Sequence, residues 1–230
     1  MKFFDQLSIG LISAVAMIPL AQSAAVFAIS AQIPSASVVA GTKAEDLFNQ
    51  GEQKYQKGDY QGAIAAYTQA IALNPNYAQA YHNRGNARSD LGDKQGAVAD
   101  YNQALRINPN YAKAYYNRGN ARDDLGDKQG AVADYNQALR INPNYAQAYN
   151  NRGLARFKLG DKQGAVADYN QALRIAPNHV NAYYNRGVAR RSLGNKQGAI
   201  QDFQKAADLY QKQGDKDNYQ KAINNLKKLQ

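Results

Sequence analysis

The sequence predicts an all-α fold: a right-handed superhelical solenoid of five helix–turn–helix repeats closed by one further helix. Three observations predict it. Prolines recur every 34 residues, at Pro75, Pro109, Pro143 and Pro177. Two sets of glycines keep the same period: Gly51, Gly85, Gly119, Gly153 and Gly187, then Gly58, Gly92, Gly126, Gly160 and Gly194. Between these marks, small and apolar residues fall at helical spacing. A fixed period of this length is the signature of stacked supersecondary units.

With Ala44 as position 1, the repeats run 44–77, 78–111, 112–145, 146–179 and 180–213. The second repeat shows the local logic. Its first helix, A, is expected over about 78–91, with Ala80, Tyr81, Gly85, Ala87 and Leu91 on one face. Gly92 ends it, because glycine takes the left-handed conformation that follows a helix. Asp93 stands where an N-cap belongs. The second helix, B, is expected over about 94–107, burying Ala97, Val98, Tyr101, Ala104 and Leu105. Asn108 and Pro109 stop it. Repeats two and three differ at only three of 34 positions, so one reading serves both.

The closing helix is expected over 214–230. Tyr219, Ala222, Ile223, Leu226 and Leu229 form its apolar stripe, with Lys216, Lys221, Lys227 and Lys228 largely outside it. A solenoid needs such a cover on its last repeat. A helix lying on a membrane surface is the rival reading of the same stripe.

Residues 1–31 read as a targeting segment. Lys2 faces Asp5, and an almost uncharged stretch follows from Ile9 to Ala31, most apolar between Leu11 and Leu20. Ser23, Ala24, Ala25 and Ala28 supply the small residues of a secretory cleavage zone, with Ala25 or Ala28 at the cut. An uncleaved anchor is the alternative, since the stretch approaches the ~20 residues that span a bilayer; Pro19 and Gln22 interrupt it. Either reading places the repeats outside the cytoplasm: in a periplasm or thylakoid lumen, free or tethered to the membrane. Residues 32–43 read as a linker.

Composition narrows the function classes. The 230 residues carry a net charge of +10, 17 tyrosines and no cysteine. Disulfides, thiolate metal sites, cysteine nucleophiles and cysteine-borne lipid anchors are thereby excluded. Catalysis lacks materials. From Lys43 onward the only serine and threonine hydroxyls are Thr68, Ser89 and Ser192, and the only histidines are His82 and His179. No ligand-spaced histidine cluster or phosphate-cradling glycine loop appears, and Asp123-Asp124-Leu-Gly-Asp127 lacks calcium-loop spacing. No enzyme activity, metal, cofactor or small-molecule substrate is expected. An isoelectric point of about 9.6 raises nucleic acid as a partner, but the arginines have acidic neighbours.

The pattern resembles the tetratricopeptide repeat (TPR) at nearly every diagnostic position. Position 4 holds Leu47, Tyr81, Tyr115, Tyr149 and Tyr183; position 20 holds Ala63, Ala97, Ala131, Ala165 and Ala199. Position 24 is aromatic at Tyr67, Tyr101, Tyr135, Tyr169 and Phe203, and the proline at 32 is missing only at Gln211. The resemblance implies a scaffold or adaptor that binds a protein or extended peptide in a concave groove lined by the A helices, in assembly of an envelope or thylakoid complex. A nucleic-acid-binding helical repeat and an accessory subunit of an enzyme complex are the alternatives.

Groove positions in that family are chiefly 2, 5, 6, 9, 12 and 13. Position 6 is Asn49, Asn83, Asn117, Asn151 and Asn185, and position 9 adds Asn86 and Asn120. A carboxamide donates and accepts, so it can pair with a peptide unit. The series resembles the asparagine ladder with which the repeats of the O-GlcNAc transferase hold extended substrates; a common family choice at that position is the plain alternative. His82, Tyr116 and Phe157 are expected to add contacts, and Asp123, Asp124, Lys158 and Arg191 to select charge. Changing Asn83, Asn117 and Asn151 together to Ala is expected to weaken binding and spare folding. The carboxylate clamp of chaperone-binding TPR proteins is absent, since position 5 is Phe48, His82, Tyr116, Asn150 and Tyr184 and position 6 never holds arginine.

One departure from the family points inward. Position 7, leucine in many members, is Arg84, Arg118, Arg152 and Arg186; position 23 is Asp100, Asp134, Asp168 and Asp202. Repeat one has Gln50 and Ala66 instead. Present together and absent together, they are expected to form structural pairs: Arg84–Asp100, Arg118–Asp134, Arg152–Asp168 and Arg186–Asp202.

Overall fold

The computed structural model describes residues 36–229; the expected targeting segment lies outside the described residues. Eleven helices are present among them: α1 Ala36–Gln56, α2 Tyr60–Leu73, α3 Ala78–Asp90, α4 Lys94–Ile107, α5 Ala112–Asp124, α6 Lys128–Ile141, α7 Ala146–Lys158, α8 Lys162–Ile175, α9 Val180–Ser192, α10 Lys196–Gln213 and α11 Lys216–Lys227. No strand occurs among the described residues, and none of their helices is long and apolar enough to cross a membrane. The helices pack as adjacent antiparallel pairs, A on B within each repeat and B on the next A. Successive A helices also touch, α1 on α3 through α7 on α9, so they line the inner side of the curve. This is a helical-repeat superhelix.

The local chemistry repeats with the sequence. Asp59, Asp93, Asp127, Asp161 and Asn195 each cap a B helix, their side chains accepting the backbone N–H three residues on at 2.8–2.9 Å. The turn before each cap needs a left-handed residue, and Gly92 supplies it at φ 88°. Helix ends on the other side fall at Asn74, Asn108 and Asn142, whose side chains accept from the N–H two residues on and turn the chain at the proline.

Close approach of A and B explains the glycine at position 8. A Cβ on Gly119 would sit 2.7 Å from Cε1 of the Tyr135 ring. The aromatics at 24 are among the largest fully buried side chains, Tyr67, Tyr101, Tyr135, Tyr169 and Phe203, ringed by buried alanines. Two elements differ from the sequence expectation. Helix α1 begins at Ala36, inside the stretch read as linker. Helix α10 runs to Gln213, past the point where proline stops the other B helices, because Gln211 stands there instead. Gly214, at φ 74°, then ends it, and Asp215 caps α11. Ala222 of α11 packs into the cluster of Ala206, Ala207 and Tyr210.

Candidate interaction groove

The arginines at position 7 sit between repeats rather than in the groove. Arg118 meets Asp134 through Nε at 2.9 Å and Nη2 at 2.5 Å, and the three other pairs share the arrangement. A second arginine, absent from the sequence-based pairing, reaches the same carboxylate from position 11: Arg88, Arg122, Arg156 and Arg190, at 2.8–2.9 Å. The remaining amino group of the position-7 arginine bonds the preceding repeat, at Thr68 (3.0 Å) or at Asn102, Asn136 and Asn170 (2.6 Å). Each guanidinium also lies over the tyrosine at position 4, 5.3–5.5 Å from its centroid. The network thus fixes both the angle within a repeat and its contact with the last.

On the inner side, three recesses follow one another at successive repeat junctions. The first, about 250 Å³, is lined by Glu52, Tyr55, Gln56, Tyr67, Asn83 and Asn86. The second, also about 250 Å³, is lined by Tyr55, Asn86, Ser89, Asp90, Tyr101, Asn117 and Asn120. The third, about 190 Å³, is lined by Asn120, Asp123, Asp124, Tyr135, Asn151 and Leu154. One hydrogen-bonding unit floors each. Tyr101 Oη and Asn117 Nδ2 both donate to Asn86 Oδ1, at 2.8 and 2.9 Å. Tyr135 Oη and Asn151 Nδ2 do the same to Asn120 Oδ1, at 2.8 and 2.9 Å. In the first recess the acceptor is the Glu52 carboxylate, taking Tyr67 Oη at 2.7 Å and Asn83 Nδ2. Burial pushes the Tyr67, Tyr101 and Tyr135 hydroxyls well above their ordinary pKa, so they remain protonated donors.

These bonds correct the expectation for the position-6 asparagines. Asn83, Asn117 and Asn151 use their N–H groups on the preceding repeat, so replacing all three would cut links between repeats, and a loss of stability is expected where the sequence pointed to none. Asn185 likewise donates to Asn150 Oδ1 at 3.1 Å, while Asn49 is exposed on α1. The outward ends lie one turn on. Two donors pin the Oδ1 of Asn86 and of Asn120, which leaves each Nδ2 without an acceptor among the described residues.

His82 is a second correction. At 5% exposure it is not a surface contact. Its Nδ1 lies 2.7 Å from Asn83 Oδ1 and its Nε2 3.0 Å from Asn117 Nδ2. The charge-selecting residues are third. Lys158 pairs with Asp123 at 3.0 Å, Lys128 also reaches Asp123 at 3.1 Å, and Lys94 pairs with Asp124 at 3.1 Å. Of the acids lining the recesses, Glu52 and Asp90 have no salt bridge among the described residues; Glu52 accepts the Tyr67 hydroxyl and Asp90 the Tyr55 hydroxyl. Arg191 donates to Asn225 of the closing helix, whose Nδ2 donates to Tyr184 Oη at 3.2 Å. Tyr116 accepts from Asn151 at 3.1 Å, and Phe157 is half-buried against Tyr169 and Ala189. No cluster of metal-ligating side chains occurs among the described residues.

A family model described as TPR repeat matches residues 51–92, 85–126 and 123–160, and one described as tetratricopeptide repeat matches 146–179 and 180–213. The chain belongs to the tetratricopeptide repeat family. Among solved TPR-like structures, MamA is 28% identical, with 76% of this chain and 96% of that one covered at a TM-score of 0.68. The first TPR of Spaghetti (RPAP3), bound to the HSP90 peptide SRMEEVD, is 32% identical over 52% of this chain and 95% of that one, at 0.52. YrrB, described as a TPR protein with an unusual peptide-binding site, shares the fold at 23% identity, 82% and 98% coverage and a TM-score of 0.67. No curated protein matches the chain. As a TPR protein, this chain is a protein–protein interaction scaffold.

Proposed function

We propose that this TPR chain is a non-catalytic scaffold that holds an extended segment of a partner protein along its A helices, in assembly of an envelope or thylakoid complex. One observation carries the reading: the outward Nδ2 groups of Asn86 and Asn120, pinned from behind by tyrosine and asparagine donors, recur with the repeat and face recesses on one side. An extended backbone also presents carbonyls at regular intervals. The Spaghetti domain, bound to a peptide, makes the class of partner reasonable. Export of the chain rests on the apolar pattern of residues 1–31.

Peptides selected from a random display library provide the test, with binding mapped by amide chemical shifts. Perturbations are expected on α3, α5 and α7. Asn86→Leu with Asn120→Leu copies the Leu154 of repeat four and removes two outward donors; it also removes the acceptors of Tyr101, Asn117, Tyr135 and Asn151, so affinity is compared only after the amide spectrum shows the repeats still folded. At about 0.5–1.5 kcal/mol each, loss of the two donors weakens binding about 5- to 150-fold. Perturbations confined to the B helices, or unchanged affinity in the folded double variant, overturn the reading.

A further inference from the structure

His82 is the one histidine at position 5, where the other repeats carry Phe48, Tyr116, Asn150 and Tyr184. Its surroundings define a tautomer. Nδ1–H donates to Asn83 Oδ1, with Tyr111 Oη 3.3 Å from the same nitrogen. Nε2 therefore bears the lone pair that accepts Asn117 Nδ2. The same Asn117 Nδ2 donates onward to Asn86 Oδ1, which leaves Asn117 Oδ1 as the end without a donor among the described residues. The second recess, lined by all three of Asn86, Asn117 and Asn120, thus offers a donor, an acceptor and a donor.

We infer that His82 sets the hydrogen-bonding polarity of the second recess and reverses it on protonation. An imidazolium donates from both nitrogens, so Nε2–H would meet the Asn117 N–H head on. Asn117 relieves the clash by turning its amide over, which brings Oδ1 to His82 and Nδ2 to the recess. Its Oδ1 then opposes Asn86 Oδ1. Asn86 turns in response and donates to both Asn117 and the Tyr101 oxygen, which accepts as readily as it donates. The Asn86 and Asn117 ends of the recess exchange roles, and Asn120 keeps its own.

The charged and titratable neighbours bear on when this happens. Glu52 of α1 lies beyond Asn83, Tyr101 of α4 packs 5.9 Å from the imidazole, Tyr111 packs at 4.8 Å, and Lys113 of α5 adds a positive charge. Burial is the largest influence and holds the His82 pKa below its ordinary value of 6.5; Lys113 acts in the same direction, while Asn83 and Glu52 oppose. The neutral arrangement therefore prevails at pH 7, and the reversal belongs to the acid side of pH 6.5. Repeat three contains the natural control. Tyr116 Oη accepts Asn151 Nδ2 as His82 Nε2 accepts Asn117, and a tyrosine does not gain a proton in this range.

The inference rests on the proposed binding face only for its consequence to a partner; the amide reversal is measured without one. Nitrogen-15 spectra of the full chain follow the imidazoles and the asparagine side-chain amides between pH 7.5 and about pH 4, close to the carboxylate range. The Asn117 and Asn86 amides are expected to move with the His82 midpoint, below pH 6.5, while the Asn151 and Asn120 amides stay still. His82→Tyr should keep the link and abolish the transition, with His179 titrating unchanged. An Asn117 amide that ignores the His82 midpoint, a His82 that stays neutral throughout, or a transition that survives in His82→Tyr each overturns the inference.

Discussion

Asp134→Ala isolates the ion network that spaces the repeats. Asp134 has 3% of its side chain exposed and accepts three charge-assisted hydrogen bonds, two from Arg118 and one from Arg122. Removing one partner of a buried pair costs about 3–5 kcal/mol, because the other charge is left without compensation. Here the arginines keep 15% and 28% exposure, and Arg118 retains Asn102 and the Tyr115 face. The lower end, about 3 kcal/mol, is therefore expected. Repeat one does without the network, carrying Gln50, Lys54 and a buried Ala66 at the same places. The triple change Arg118→Gln, Arg122→Lys, Asp134→Ala copies it and should cost about 1 kcal/mol, since no guanidinium is stranded. Urea unfolding gives the ranking, and hydrogen exchange on α5 and α6 localises it, because a repeat array need not unfold in two states. A triple variant less stable than Asp134→Ala, or an Asp134→Ala as stable as the parent, would refute the account of these ions as a mutually compensating unit.

Two further perturbations probe packing. Gly119→Ala sets a methyl 2.7, 3.0 and 3.1 Å from ring atoms of the fully buried Tyr135, and overpacking of this kind costs about 1–3 kcal/mol by urea unfolding; parental stability would show that the ring yields freely. Deleting residues 214–230 uncovers Ala206, Ala207 and Tyr210, so α9 and α10 should lose amide protection before α3 to α6, and unchanged exchange in α9 and α10 would show the cap to be dispensable.

The fold was legible because its causes are local and periodic. Gly92, Asp93, Asn108 and Pro109 each act within a few residues of chain, and their copies 34 residues apart repeat the result. The start of α1 at Ala36 was not, since nothing in Ala36–Lys43 breaks a helix except a single glycine. The groove was legible as a surface but not atom by atom. Whether Asn117 offers a ligand its N–H or its C=O depends on Asn86 and His82 of the neighbouring repeat. A weaker signal was present. Tyrosine, not phenylalanine, occupies position 24 wherever position 9 is Glu52, Asn86 or Asn120, and phenylalanine appears opposite Val188; Tyr169 with Leu154 is the exception. Tyrosine hydroxyl and position-9 acceptor are two halves of one bond.

That bond also explains how near-identical repeats come to present different surfaces. Repeats two and three differ only at Gln79/Lys113, His82/Tyr116 and Ser89/Asp123, and their helices, caps and ion pairs superpose in kind. Apart from the buried His82, set against the half-buried Tyr116, their interiors cannot set them apart, and any difference in what they bind rests on those three side chains. Repeat four goes further: Leu154 replaces the position-9 asparagine, Asn150 becomes a buried acceptor for Asn185, and Lys158 turns back to neutralise Asp123. Along the A helices the inner face passes from a carboxylate at Glu52, through amide donors at Asn86 and Asn120, to aliphatic carbon at Leu154 and Val188. A symmetrical scaffold carrying an unsymmetrical face has a direction, and a segment held along it would lie one way round.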